Sequence, residues 1–155
     1  MQAIEKVRDF LKEKESNLKI IELDADTSTS ELAAQALGTE VGQIAKSILF
    51  KTKKDDFLMI VAAGDVKLDF KAIKDLAGAR IRMANSDEVK EVTGYDIGGV
   101  CPFALNIPVK IYIDESLTKY DVVYAAAGTA NTALPITFNQ LLNITDASPC
   151  NVSFK

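Results

Sequence analysis

Lys46 sits within the stretch Gly42-Gln-Ile-Ala-Lys-Ser-Ile-Leu-Phe-Lys51, whose residue types read as a β-strand. Alternate residues of a strand face opposite ways, which places Ile44, Ile48 and Phe50 on one face with Lys46 in register among them. Ala45, Ser47, Leu49 and Lys51 make the other face. An ammonium on an apolar face is costly unless it is paired or faces a ligand. The alternative is a lysine near a strand start that lays its stem over apolar neighbours and keeps its head in water. A second candidate is the loop Tyr95–Phe103, where Gly98, Gly99 and Pro102 fall within five residues. Glycines let backbone amides approach a ligand and proline fixes loop shape, so this is either an amide-lined pocket wall or a plain turn. Cys101 in the same loop offers a thiol that a cation such as Lys46 would activate, or simply a small residue filling a wall.

The 155 residues include no histidine, which excludes a Ser-His-Asp triad, a Cys-His dyad and a histidine-ligated zinc site. Any catalysis must draw on lysine, carboxylates, hydroxyls, a thiol, backbone amides, water or the substrate itself. Cys101 and Cys150 are far apart and lack metal-ligand spacing, so neither a disulfide framework nor a metal is expected, and no organic cofactor motif is present. The net charge of −4 argues against coating nucleic acid non-specifically. A local patch of Lys51, Lys53, Lys54, Lys67, Lys71 and Lys74 would still bind phosphates, although Asp55-Asp56 directly offsets Lys53-Lys54. No apolar run is long enough to span a bilayer and the N-terminus lacks a signal-peptide core, so a cytoplasmic protein without membrane contact is expected.

These side chains must be positioned by one domain spanning residues 1–155, the length of a single core. Ile4, Val7, Phe10 and Leu11 predict an amphipathic helix over 2–15, closed by Ser16-Asn17, with a strand at 18–23. Ser28 and Glu31 fit a capping box for a helix that turns Leu32, Ala33, Ala36 and Leu37 inward and stops at Gly38. After the Lys46 strand comes a polar hairpin connection at 52–56. Phe57–Ala63 follows, apolar on both faces and therefore central. A helix from Asp69 with Phe70, Ile73 and Leu76 inward, a short strand at 79–83 and a helix capped by Asn85 and Glu88 come next. Strands at 108–114 and 122–128 precede the turn Thr129-Ala-Asn-Thr132. The strand at 133–138 completes a hairpin, with Pro135 favouring an edge, before one helical turn at 139–142 and a tail at 143–155. Helices without regular βαβ alternation predict α+β, with a mixed, mostly antiparallel, curved and barrel-like sheet. Neither a Rossmann nor a P-loop glycine pattern follows a strand.

The order of these landmarks resembles the YbaK family, the editing domain found in and beside prolyl-tRNA synthetase. The resemblance rests on Thr27–Leu37 with its Ala-Ala helix, Ile44-Ala-Lys-Ser-Ile-Leu-Phe-Lys51, Ala62-Ala-Gly-Asp65, Gly98-Gly-Val-Cys-Pro-Phe103 and the hairpin at Gly128–Thr132. It implies a trans-acting deacylase that hydrolyses the ester of a mischarged tRNA, of the Cys-tRNA(Pro) or Ala-tRNA(Pro) type. The implied partners are the aminoacylated 3′ end of tRNA and an aminoacyl-tRNA synthetase. Lys46 matches the lysine that engages the terminal adenosine and its phosphate. Gly98 and Gly99 match the loop that faces the ester, and with Lys46 they form the catalytic set. The substrate-binding set implied is Ile44, Ser47, Ala63, Gly64, Asp65, Val100, Cys101, Pro102, Phe103, Gly128, Thr129, Asn131 and Thr132. Such chemistry suits a chain without histidine. An aminoacyl ester is already activated, and backbone amides hold its oxyanion while a water, the adenosine hydroxyl or the substrate side chain attacks. The later loop, Thr129-Ala-Asn131-Thr132, has neither the histidine of alanine-clearing relatives nor the arginine of cysteine-clearing ones, which leaves the amino acid open. Asp65 and Asp96, beside the pocket loops, either orient a water or amine or merely cap turns. Two rivals stand beside the deacylase: a non-catalytic module binding a nucleotide or aminoacyl-adenosine, and a thiol hydrolase acting through Cys101.

Overall fold

The computed structural model describes residues 2–15 and 17–154. In chain order the elements are α1 (Ala3–Lys14), β1 (Ile21–Glu22), α2 (Ser30–Leu37), β2 (Ile44–Thr52), β3 (Phe57–Ala63), α3 (Phe70–Ala77), β4 (Ile81–Met83), α4 (Ser86–Thr93), β5 (Lys110–Asp114), β6 (Val123–Ala125), β7 (Thr132–Ile136), α5 (Phe138–Thr145) and β8 (Ser148–Cys150). Among the described residues the eight strands run β1-β7-β6-β2-β3-β5-β8, with β4 also on β2. The pairs β1–β7, β2–β3, β2–β4 and β6–β7 are antiparallel, while β2–β6, β3–β5 and β5–β8 are parallel. The fold is the expected α+β with a mixed sheet, and its path ends at β1 and β8 without closing into a barrel.

β3 is central because it is apolar on both faces: Leu58 to Ala63 are all buried, and alternate residues serve two cores. Met59, Val61 and Ala63 join Ala45 and Leu49 of β2 under α1, α4 and α5. Leu58, Ile60 and Ala62 join Phe50 and Ile73 under α3. Tyr95 is wholly buried in the first core, where its hydroxyl donates to the Phe103 carbonyl and the Lys6 ammonium lies 4.9 Å above its ring. At Pro135 the expectation of an edge holds locally. β1 pairs only with Thr132 and Ala133, so Pro135 has a strand neighbour on one side alone.

Several local expectations need correction. Thr29, not Ser28, caps α2: its hydroxyl accepts from the Leu32 amide at 3.1 Å, while the Ser28 amide donates to Asp26. α2 buries Ala33 and Ala34 and leaves Leu32 exposed. In α3 only Ile73 is fully buried; Leu76 is exposed, and Phe70, 47% exposed, meets Phe50 edge-on at 5.5 Å. The Asn85–Glu88 capping box forms as read. The single helical turn near 139 is a full helix, α5, capped by Thr137 and Gln140. The supposed tail carries β8. Buried Asp114 fixes it by accepting from the Val152 amide at 2.7 Å and the Ser153 hydroxyl at 2.8 Å. The helix stop at Ser16 lies outside the described residues, as do Met1 and Lys155.

Candidate functional site

The site follows from an interruption beside the longest strand. One edge of β2 pairs continuously with β3 from Ala45 to Lys51. The other edge meets β6 only at Ile44 and Ala45, and β4 only at Phe50 to Thr52. Lys46 to Leu49 therefore lack a strand neighbour on that side, and a cleft of about 260 Å³ opens there. Its walls come from Thr27–Ser30 and α2, from Met83, Ala84 and Val89 around the start of α4, from Ile97, Gly98 and Val100, and from the β6–β7 hairpin. Most of this lining is apolar. Lys46 and Tyr124 are its titratable groups among the described residues.

Lys46 is half-buried, and its ammonium donates to the Val66 carbonyl at 2.7 Å. Burial is the main influence on its pKa and pushes it below the ordinary 10.5; the nearby Asp65 and Glu31 carboxylates oppose that shift. An ammonium has three protons, so the Val66 contact leaves donors for a ligand anion. The strand alternation read from the sequence holds. Ile48 and Phe50 pack with the α3 core, whereas Ala45 and Leu49 pack with the other.

The two glycine-bearing loops lean on each other. The Gly128 amide donates to the Gly99 carbonyl at 3.0 Å, and a Cβ on Gly99 would lie 2.6 Å from the Gly128 carbonyl group. The Gly99 amide itself donates to Asp96 at 3.0 Å, so it is committed within its own turn. Gly98 has φ of +101° and packs on Ser28, where a Cβ would come within 3.0 Å. Of the residues singled out from the sequence, Lys46, Gly98, Ile44, Ser47, Val100 and Thr132 line the cleft.

The others lie elsewhere. Cys101, Pro102 and Phe103 turn into the protein; Phe103 faces Phe10 with ring centroids 6.1 Å apart. Cys101 is wholly buried, and burial pushes its thiol up to about 12, which removes it as an exposed nucleophile. Ala63 is a core residue whose amide donates to the Ser116 hydroxyl. Gly64 lies beneath Val41 and Ser30, and Asp65 is exposed beside Gly42. Gly128 supports Gly99, while Thr129 and Asn131 brace the hairpin against Leu23. Lys51 is held by Asp55 at 3.1 Å and Glu88 at 3.6 Å, so it is neutralised rather than part of an open basic patch. The cleft residues missed from the sequence are chiefly Thr27, Ser30, Met83, Ile97 and Tyr124. Four successive hydroxyl residues, Thr27-Ser-Thr-Ser30, were the available signal, but they read equally well as a helix cap.

The model of the aminoacyl-tRNA editing domain matches residues 24–144. The chain is 39% identical over 122 residues to the uncharacterized protein YwhH of Bacillus subtilis (strain 168), covering 79% of this chain and 78% of that one. It is 24% identical over 131 residues to EbsC of Enterococcus faecalis, provisionally named a Cys-tRNA(Pro)/Cys-tRNA(Cys) deacylase, covering 84% and 80%. A crystal structure provisionally described as a trans-editing enzyme for prolyl tRNA synthetase superimposes with a TM-score of 0.92 at 36% identity, covering 100% of this chain and 99% of that one. With every residue of the cleft wall inside the family match, the chain belongs to the aminoacyl-tRNA editing domain family.

Proposed function

We propose that residues 1–155 form one cytoplasmic editing domain that hydrolyses, in trans, the ester of a mischarged tRNA carrying a small amino acid, of the Cys-tRNA(Pro) or Ala-tRNA(Pro) type. The observation that carries this reading is Lys46, a half-buried cation in the wall of an otherwise mostly apolar cleft. The cleft volume lies below the roughly 300–1,000 Å³ of sites that enclose a drug-sized ligand, which suits an aminoacyl group with its ribose rather than a whole nucleotide stem. Lys46 would hold the terminal adenosine or its phosphate, and the backbone of Gly98 and Val100 would face the ester. Water then bonds to the carbonyl carbon, the ester C–O bond breaks and the ribose oxygen leaves with a proton. Positioning and oxyanion stabilisation supply the acceleration, without a titrating base. The provisional trans-editing description of a close structural neighbour supports both the reaction class and a prolyl-tRNA synthetase context.

The committed amide of Gly99 and the absence of a carboxylate or exposed thiol from the cleft among the described residues favour a second reading, a module that binds an aminoacyl-adenosine without turnover. Single-turnover deacylation of Cys-, Ala- and Ser-charged tRNA by wild type and Lys46→Ala separates the two. Hydrolysis that is lost in a variant of unchanged unfolding midpoint establishes the deacylase. Tight analogue binding with no hydrolysis of any member establishes the module.

A further inference from the structure

Two hydroxyls in the cleft wall are left without partners. Thr27 Oγ1 and Ser47 Oγ are buried and make no hydrogen bond among the described residues, although both residues line the cleft. Thr27 is 7% exposed. Their neighbours show that partners are otherwise found here. Thr29 accepts from the Leu32 amide, and Thr132 accepts from the Ala127 amide while donating to the Thr129 carbonyl. Buried polar side-chain atoms are nearly always bonded, so a pair of exceptions in one cleft calls for a missing partner.

Ser47 is unsatisfied in its backbone as well. The Thr52 amide bonds to Asp56, which turns the even-numbered residues of β2 toward β3. The Leu49 carbonyl accepts from the Ala84 amide, which turns the odd-numbered ones toward the interrupted edge. Ser47 therefore directs its N–H and C=O into the gap between β6 and β4, where no strand meets it.

We propose that Thr27 and Ser47 determine the amino-acid specificity of the cleft, selecting a small aminoacyl group whose side chain carries a hydroxyl. This rests on the deacylase reading above, keeping its reaction and replacing cysteine or alanine by serine or threonine as the favoured amino acid. A side-chain hydroxyl both donates and accepts, so it serves as a partner for neutral hydroxyls; a rotation about the serine χ1 turns its Oγ toward such a ligand. A positively charged side chain would face Leu49, Val100, Ala125 and Ala133 without compensation and be repelled by the Lys46 ammonium. The alanine methyl leaves both hydroxyls unpaired, and a cysteine thiol, a weak donor and acceptor, falls between. Seryl and threonyl esters are thus preferred over cysteinyl, and cysteinyl over alanyl.

The test charges one tRNA with serine, cysteine or alanine and measures kcat/KM for wild type, Thr27→Val, Ser47→Ala and the conservative Thr27→Ser. Binding of amide-linked seryl- and alanyl-adenosine is followed in parallel by calorimetry. The seryl:alanyl ratio should be roughly tenfold to hundredfold in wild type, since a polar site rejects the analogue that leaves its groups unpaired. It should collapse toward one in Thr27→Val and Ser47→Ala and survive in Thr27→Ser. A wild-type ratio near one overturns the proposal. So does an equal loss on both esters, which would assign the hydroxyls to the ribose or α-amino group common to all substrates. If no ester is hydrolysed, the deacylase reading fails. The calorimetric ratio then decides the specificity alone: a seryl preference lost in the two variants supports it, and no preference overturns it.

Discussion

Gly99→Ala tests how tightly the two loops of the site are coupled. A Cβ at residue 99 would lie 2.6 Å from both C and O of Gly128 and 2.7 Å from the Thr129 nitrogen. These are backbone atoms and cannot swing aside like a flexible side chain. Ordinary carbon contacts begin near 3.5 Å, so the loops must part by roughly 0.9 Å. The 3.0 Å bond from the Gly128 amide to the Gly99 carbonyl then stretches past hydrogen-bonding distance. Losing that bond between two buried residues costs about 1–2 kcal/mol, and the residual overpacking about 1–2 more. The expected destabilisation is therefore about 2–4 kcal/mol, a large fraction of the roughly 5–15 kcal/mol that holds a domain folded. Gly38→Ala is the control. Its φ of +69° is left-handed, which that of Gly99 is not, but a Cβ there meets nothing within 4 Å, so only the conformational cost of about 1 kcal/mol remains. Urea denaturation of both variants measures the difference, with Gly99→Ala unfolding at a midpoint lower than that of Gly38→Ala by roughly 0.5–1.5 M. Equal midpoints for the two variants would refute the claim that backbone contact between the loops sets their spacing.

Two further outcomes follow from the pKa shifts. The Glu88 carboxylate, held by two Arg82 bonds of 2.8 Å and the Asn85 amide, falls from 4.5 to about 2. A depressed carboxylate stabilises the fold above its unfolded pKa and loses that contribution as pH falls, so the stability advantage of wild type over Glu88→Gln should shrink between pH 4.5 and 2 in urea titrations; a constant difference would contradict the assignment. Burial pushes the thiols of Cys101 and Cys150 up to about 12, so neither should react with a disulfide reagent in the native protein and both should react on unfolding. A fast native reaction at Cys101 would restore the thiol-hydrolase reading.

What the sequence disclosed was local. Lys46 announced itself by breaking the alternation of its strand, and Asn85 with Glu88 carried a complete cap within four residues. Phe57–Ala63 declared its central place by being apolar on both faces. What stayed hidden depends on contacts remote along the chain. β8 exists because Asp114 offers buried acceptors to residues 152 and 153, and nothing near Ser148 in sequence reports that anchor. Four adjacent hydroxyl residues at 27–30 can each cap a helix, and only the arriving geometry of α2 selects Thr29 and sends Thr27 to the cleft. Cys101 is the instructive case. The glycines beside it read as a ligand loop, but Gly98 and Gly99 are required by their contacts with Ser28 and Gly128, while the loop's next residues turn into the core.

The position of the cleft also explains why a rigid strand can serve as a recognition surface. β2 is fastened along one edge by a continuous ladder to β3, and at both ends of the other edge by β6 and β4. The middle of that second edge is thus left open without being left loose. Its unpaired groups are held by a frame fastened along one edge and at both ends of the other, and a frame that need not reorganise is the condition under which hydrogen-bond donors and a half-buried ammonium discriminate most strongly. Lengthening β6 by two residues, or β4 by three, would complete the ladder at Ser47 and gain hydrogen bonds, but it would fill the cleft. The shortness of those two strands is therefore a structural requirement of the site, and the unpaired groups at Thr27 and Ser47 are the stability forgone to keep it open.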